Sequence, residues 1–209
     1  MSVRLPLAIG LALATTGCFP QQAPHRPHTV DSLAAALETP AVVEFLDLTG
    51  KTGESWPDDL AACTALNRVS LRKNGLTELP AALQTIPGLT WLDAGDNQLA
   101  AFPEPGLLPH IQTLYLSDNA LTGLPASIGG LSQLVYLNLD RNRLTALPEE
   151  IGELGSLRWL RLNDNQLTAV PDSIGKLQNL KRLYLRGNPL PEAEKARLKT
   201  VLPQTDVIL

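Results

Sequence analysis

The chain has 209 residues and a formal net charge of -4 at pH 7, which suits one domain with a tail and leaves no basic excess for binding nucleic acid. Leucine supplies 42 residues against 16 for isoleucine and valine together, and the 44% hydrophobic content excludes a wholly disordered chain. Two cysteines are too few for a disulfide-dense scaffold or a four-ligand zinc site. The leucine excess predicts an internal repeat.

Residues 1–18 predict a secretory signal peptide. Arg4 gives a positive start, and the apolar run over 5–14 is shorter than the roughly 20 residues that a membrane-spanning helix needs. Cys18 follows a glycine and two small polar residues, which resembles the lipobox of bacterial lipoproteins with Thr15 in the usual place of leucine. This resemblance implies a lipidated Cys18 that anchors the protein to a membrane. The alternatives are ordinary cleavage after Ala14 and an uncleaved or misassigned start.

Residues 19–30 predict an extended, solvated linker, because they contain three prolines and no apolar periodicity. Residues 31–42 predict an N-terminal cap. Within it, the segment from Asp31 to Glu38 reads as a short helix with Asp31 as its N-cap.

Seven units follow over residues 43–190 when the chain is aligned on the pattern L-x-x-L-x-L-x-x-N-x-L. They begin 22 or 23 residues apart, at Val43, Leu66, Leu89, Ile111, Leu134, Leu157 and Leu180. The ninth position holds the asparagines Asn74, Asn97, Asn119, Asn142, Asn165 and Asn188, and the fifteenth position repeatedly holds proline. The pattern resembles the leucine-rich repeat family, in its 23-residue form with LPxxIxxL in the outer segment.

The resemblance implies an α/β solenoid, a leucine-rich repeat horseshoe arc with a concave parallel β-sheet, an irregular or 3-10 convex side and short capping helices. Physical chemistry explains the columns: alternating leucines make one strand per unit, and stacked units bury leucines that one unit cannot bury alone. The asparagine amides are expected to satisfy backbone groups from turn to turn. Residues 191–209 predict a C-terminal cap, with a helix over 191–201 and a strand over 206–209.

Six of the nine aromatic residues fall between the strand leucines, on the predicted concave side. They are Phe45, Trp91, Tyr115, Tyr136, Trp159 and Tyr184. Tryptophan, tyrosine and arginine dominate binding energies at protein interfaces, and an exposed apolar stripe usually marks an interaction site. The pattern therefore predicts ligand anchors in a groove on the order of 30 Å long. The alternative is that aromatic residues simply favour strands.

Charged residues on the same side follow a basic, acidic, basic order along the units. The basic second unit carries Arg68, Arg72 and Lys73. The candidate binding residues among the later charges are Asp93, Asp118, Asp140, Arg158, Arg161 and Arg182. Such an order would align a partner whose charges follow the complementary acidic, basic, acidic order. The alternative is a solvated surface whose charges neutralise one another.

No pattern predicts catalysis, a metal site or a cofactor. Gly50-Lys51-Thr52 lacks the first glycine of a phosphate-binding loop, because Phe45 stands there. Asp96 and Asp118 share a column, but an open groove provides no pocket that would shift their pKa values. Cys63 falls in a core column, which favours a small buried hydrophobe.

These patterns together predict a non-catalytic, monomeric binding module rather than an enzyme. Its expected ligand is a protein or peptide recognised on the concave sheet, and its expected location is the bacterial cell envelope, lipid-anchored at the outer membrane or cell surface. Glycan or cell-wall binding through the aromatic stripe is the alternative function. A secreted or periplasmic protein is the alternative location.

Overall fold

The computed structural model describes residues 27–53, 56–57, 59–102, 106 and 108–209. The predicted signal peptide, Cys18 and most of the predicted linker lie outside these residues. Within them, no helix is long and apolar enough to cross a membrane. The same residues contain no group of three or more histidine, cysteine or acidic side chains placed to hold a metal ion.

Nine short strands of the described chain pair in sequence order into one parallel sheet. They are β1 (Thr29–Val30), β2 (Phe45–Asp47), β3 (Arg68–Ser70), β4 (Trp91–Asp93), β5 (Thr113–Tyr115), β6 (Tyr136–Asn138), β7 (Trp159–Arg161), β8 (Arg182–Tyr184) and β9 (Asp206–Ile208). Successive units pair without offset, so that Leu137 of β6 lies opposite Leu160 of β7. The predicted solenoid with a parallel sheet is confirmed.

The core consists of the leucine columns of the seven units. Side chains at the first, fourth and sixth positions of each unit are at most 3% exposed, and they join one continuous cluster. This stacking buries the apolar face that a single unit leaves open to water. Cys63 lies in the same cluster, where burial raises the pKa of its thiol, so its prediction as a buried hydrophobe is confirmed.

The outer side of the arc is built from short 3-10 helices that follow prolines. Their bounds are Ala81–Thr85, Ala126–Gly130, Glu149–Glu153 and Asp172–Lys176. Proline suits this position because its φ is fixed and it lacks the donor that a regular helix would use. Glycine brings two of these segments together: a Cβ built on Gly152 would lie 2.3 Å from the Ser173 carbonyl oxygen.

Both ends of the sheet carry capping elements. Helix α1 (Leu33–Glu38) is capped by the Ser32 hydroxyl, which accepts the Ala35 N–H at 3.2 Å. The prediction of Asp31 as the N-cap is therefore wrong, and Asp31 instead pairs with Lys51 at 3.1 Å. Strand β1 pairs with β2, so the sheet begins inside the segment predicted as linker.

The C-terminal cap follows the prediction closely. Helix α2 (Glu192–Val201) begins directly after Pro191, and β9 adds a last strand beside β8. Proline at a helix start needs no intrahelical donor, which explains why the helix begins there.

The ninth-position asparagines form a hydrogen-bonded ladder, which is buried at Asn97, Asn142 and Asn165. The Asn165 amide donates to the carbonyl oxygens of Leu139 (2.9 Å) and Leu162 (3.1 Å), and its oxygen accepts the Leu144 N–H at 3.0 Å. Equivalent bonds recur along the sheet, which confirms that these amides satisfy backbone groups between units.

The first rung of this ladder is incomplete. In later units the asparagine oxygen accepts a backbone N–H from the unit before it. The donor is the residue two places after that unit's own ninth position, as Leu144 is to Asn142. For Asn74 that place is Gly53, which has a φ of 88°. The Asn74 Oδ1 atom is buried and has no hydrogen-bond partner among the described residues.

Candidate binding face

The concave face is formed by the third and fifth positions of each unit, on either side of the central buried strand residue. Alternation along a strand sends these side chains away from the leucine core. All six predicted aromatic residues lie there and are half-buried. Those at the third position are Phe45, Trp91, Tyr136 and Trp159, and those at the fifth are Tyr115 and Tyr184.

Four of these rings contact one another in a row across the sheet. The ring centroids of Phe45 and Trp91 are 5.8 Å apart, those of Trp91 and Tyr115 are 5.6 Å apart, and those of Tyr115 and Tyr136 are 4.9 Å apart. These are ordinary distances for edge-to-face and tilted aromatic pairs. The rings therefore make one continuous apolar surface rather than separate anchors.

Arg68 completes this row between Phe45 and Trp91. Its guanidinium carbon lies 5.0 Å from the centroid of the Phe45 ring and 4.7 Å from that of Trp91. Both distances fit cation–π contacts. We call Arg68 and the four contacting rings the aromatic row. Sequence reasoning omitted Arg68 from the candidate site, although its third-position column already placed it between the two rings.

The other two aromatic residues lie nearer the C-terminal end of the sheet. Trp159 makes no ring-to-ring contact with another aromatic side chain of the described chain. The Arg161 guanidinium lies 4.7 Å from the centroid of the Tyr184 ring. The predicted stripe is therefore divided into the aromatic row and a separate pair of residues.

Charged side chains from the second to the sixth unit pair across neighbouring strands, on the concave face or along its rim. The pairs are Arg72 with Asp96, Arg141 with Asp118 (Nε to Oδ1, 2.5 Å), and Arg161 with Asp140 (Nη2 to Oδ2, 2.5 Å). The hydrogen-bonded guanidinium of Arg141 lowers the pKa of the Asp118 carboxyl although the groove is open, so the expectation of an unshifted Asp118 is wrong. At the centre, the surface therefore matches the self-neutralising alternative rather than separate charged blocks.

Asp140 is the least accessible of the predicted binding residues. Its side chain is 2% exposed, and its carboxylate accepts from Arg161 Nε and from the Asn163 N–H, both at 2.7 Å. A carboxylate with these partners orients Arg161 instead of meeting a ligand. We therefore remove Asp140 from the proposed ligand contacts.

Burial changes the protonation behaviour of two other residues on this face. It raises the pKa of the half-buried Asp93 carboxyl, whose Oδ1 accepts the Gly95 N–H at 2.8 Å. It also raises the pKa of the Tyr136 hydroxyl to about 12. Tyr136 therefore stays neutral at physiological pH and presents an uncharged ring edge and hydroxyl to the groove.

The eighth position of every unit has a left-handed backbone conformation. It holds glycine at Gly50 and Gly187, and otherwise Lys73, Asp96, Asp118, Arg141 and Asp164, with φ between 53° and 60°. Aspartate tolerates this conformation better than most residues. The turn places these side chains along the rim where the strands end.

Arg158 and Arg182, the remaining predicted binding residues, are exposed at the C-terminal end of the face. Arg182 Nε lies 3.7 Å from Asp206 Oδ2, and both side chains are more than half exposed. An exposed pair at this distance contributes little to stability, so Arg182 keeps its freedom to contact a ligand.

Comparisons with known proteins agree with this architecture. A family model described as a leucine-rich repeat region matches residues 127–200, and a second one, described as a leucine rich repeat, matches residues 105–144. A leucine-rich repeat protein from Leptospira interrogans is 37% identical with a TM-score of 0.67, over 74% of this chain and 40% of that one. No curated protein matches the sequence.

Two further solved structures are similar. An internalin from Listeria monocytogenes is 21% identical with a TM-score of 0.69, over 87% of this chain and 51% of that one, and shows the fold alone. The plant peptide hormone receptor RGFR1 in complex with RGF2 is 30% identical with a TM-score of 0.58, over 70% of this chain and 25% of that one. The chain thus spans about half or less of each of the three structures. Its repeat columns, its parallel sheet and both family models show that it carries the leucine-rich repeats and the fold of the leucine-rich repeat family.

Proposed function

We propose that this chain is a non-catalytic module that binds a protein or peptide on its concave face. The aromatic row carries the proposal, because it forms a continuous apolar surface from β2 to β6 that the fold leaves half-exposed. Contiguous exposed apolar surface on a water-soluble domain marks interaction sites, and aromatic residues with arginine supply most interface energy.

The comparisons support a polypeptide ligand. The plant protein to which this chain is similar is a peptide hormone receptor, solved in complex with RGF2. The carboxylates of the concave face also favour binding over catalysis. Asp118 and Asp140 pair with arginines, and Asp93 accepts a backbone N–H, so these groups serve the face itself. We further assign the units to the 23-residue LPxxIxxL form of the repeat.

Replacing Tyr136 or Trp159 by alanine is expected to weaken ligand binding by more than about 1 kcal/mol each, because each side chain presents a large apolar surface on the concave face. A partner is first crosslinked and identified from the native envelope, and its affinity for each purified variant is then measured by calorimetry. Val42→Ala is the control, since Val42 is 54% exposed but lies before the first repeat strand. Normal affinity in both variants would place the ligand elsewhere.

Glycan binding is a second candidate, and Trp159 favours it. Among the described residues, its indole makes no ring contact of the kind that Trp91 makes, which leaves room for a sugar ring to stack on it. The two ligands respond differently to salt. A protein ligand that uses the charges should bind more weakly as ionic strength rises, whereas a glycan should bind nearly independently of salt and quench Trp159 fluorescence.

For the location, we propose a lipid anchor at Cys18 that holds the protein, as a monomer, at the outer membrane or cell surface. A secreted or periplasmic protein is the alternative. Lipidation supplies membrane affinity through burial of acyl chains, which serine cannot carry. Cys18→Ser is therefore expected to move the protein from the membrane fraction to the soluble fraction. Unchanged fractionation would rule out this anchor.

A further inference from the structure

Four exposed cations lie at the C-terminal end of the sheet, on the concave face or beside it. We call this group, Arg158, Lys181, Arg182 and Arg186, the basic end. Arg158 and Lys181 take the same place immediately before neighbouring strands β7 and β8, and the Arg158 carbonyl accepts the Lys181 N–H at 2.8 Å. Adjacent parallel strands lie about 4.8 Å apart, so like charges are held close together here.

The basic end lacks the neutralisation found at the centre of the face. Within the described chain, Arg182 makes the group's single ion pair, the long exposed contact with Asp206. Asp164 lies nearby, but its carboxylate leans over Gly187, where a built Cβ would be 2.2 Å from Oδ1. Arg158, Lys181 and Arg186 therefore have no ion-pair partner among the described residues, on a chain whose overall charge is -4.

An apolar surface accompanies these cations. Trp159 and Tyr184 lie on the same two strands and are half-buried. The Arg161 guanidinium stacks over the Tyr184 ring, and its charge is neutralised by Asp140. The basic end thus has an apolar floor and a cationic rim. Unpaired cations beside such a floor fit carboxylates carried on a polypeptide.

We propose that the basic end binds an acidic segment of the ligand whose apolar segment lies on the aromatic row. This proposal rests on the proposed function and specifies the chemistry of the ligand. Tyr115 on β5 is three strands away from β8, which corresponds to about 14 Å. An extended polypeptide covers that distance in roughly four residues. The ligand therefore carries its acidic residues about four positions from its apolar anchor.

Other anionic partners fit this surface less well. Nucleic acid binding depends on a basic excess, whereas this chain has a net charge of -4. A flat bilayer contacts a concave sheet at its rims, whereas Trp159 and Tyr184 lie on the sheet itself. A narrow acidic chain reaches both the floor and the rim.

Three fluorescein-labelled peptides test the proposal. They share a Leu-Phe-Leu segment and a four-residue glycine–serine spacer, and they end in four glutamates, four glutamines or four lysines. We expect the glutamate peptide to bind about tenfold more tightly than the glutamine peptide at low salt, measured by fluorescence anisotropy. The double variant Arg158→Glu/Lys181→Glu is expected to reduce this ratio to about one or below.

The matched control is Lys176→Glu/Lys199→Glu, which changes the net charge equally at two exposed lysines on the outer 3-10 helix and on α2. It should keep the preference for glutamate. The proposal is overturned if the wild-type protein shows no preference, if both double variants lose it equally, or if they both keep it. It is also overturned if phosphatidylglycerol vesicles bind more tightly than the glutamate peptide and depend on Arg158 and Lys181.

The same peptides separate this proposal from the proposed function. Tyr136→Ala should weaken all three peptides by a similar factor, because it removes part of the aromatic row and no charge. If the glutamine peptide binds through Tyr136 but glutamate adds nothing, the binding face stands and the acidic ligand is refuted. If the glutamate preference depends on Arg158 and Lys181 but Tyr136→Ala leaves the affinity of all three peptides unchanged, the aromatic row is refuted as the ligand surface.

Discussion

Replacing Asn165 by alanine is expected to lower the free energy of unfolding by about 2 to 3 kcal/mol. The substitution leaves the buried N–H of Leu144 without an acceptor, and an unsatisfied buried donor costs roughly 1–3 kcal/mol. It also removes one donor each from the carbonyl oxygens of Leu139 and Leu162, which keep a second donor from Asn142 and Asn188. Urea denaturation followed by circular dichroism measures the change.

Asn163 provides the matched control in the same unit. Its Oδ1 accepts one N–H, from Arg186 at 2.9 Å, and its side chain is half-buried rather than enclosed. Asn163→Ala should therefore cost less than about 1 kcal/mol. Equal losses for the two variants would show that the ladder contributes no more than an ordinary surface hydrogen bond.

Replacing Gly152 by alanine is expected to destabilise the protein by about 1–3 kcal/mol, the usual cost of overpacking. The new methyl group would meet the Ser173 carbonyl oxygen at 2.3 Å and the Ser173 Cβ at 2.7 Å, so the two outer segments must separate. Backbone atoms cannot move aside as a flexible side chain can. Thermal unfolding of the wild-type protein and of Gly152→Ala, at the same protein concentration, measures the loss of stability.

Gly130→Ala is the control for this substitution. Gly130 lies in the preceding 3-10 helix, and nothing lies within 4 Å of a Cβ built on it. Alanine there should be neutral or slightly stabilising, because it reduces the freedom of the unfolded chain. A loss comparable to that of Gly152→Ala would mean that backbone conformation, not stacking, explains the glycine preference.

The fold was predictable because its determinants repeat in sequence. A leucine at a fixed interval becomes a core column, and an asparagine at a fixed interval becomes a ladder, whatever the neighbouring side chains are. The cap was less predictable, since both Asp31 and Ser32 are good N-cap residues. Which one caps the helix depends on where α1 starts, and α1 starts at Leu33, directly after Ser32.

The binding face was predictable only in part, for a geometric reason. Periodicity assigns each residue to a column but does not say which way a long side chain leans across the strands. Arg161, at the fifth position, reaches back to Asp140 at the seventh position of the preceding unit. Arg68 turns between Phe45 and Trp91 instead of pairing with an aspartate. The charge order along the sequence therefore overstated the separation of charges on the face.

The asparagine ladder also bears on how such a chain can lengthen or shorten during evolution. Each amide bonds to backbone groups of its own unit and of the one before, and these groups are the same whichever unit supplies them. Removing one complete unit, such as residues 134–156, would bring Asn165 opposite the backbone that Asn142 now contacts. Duplicating a complete unit would likewise present each new asparagine with the same backbone groups. Gain or loss of whole units can therefore change the length of the groove while the remaining junctions keep their ladder hydrogen bonds.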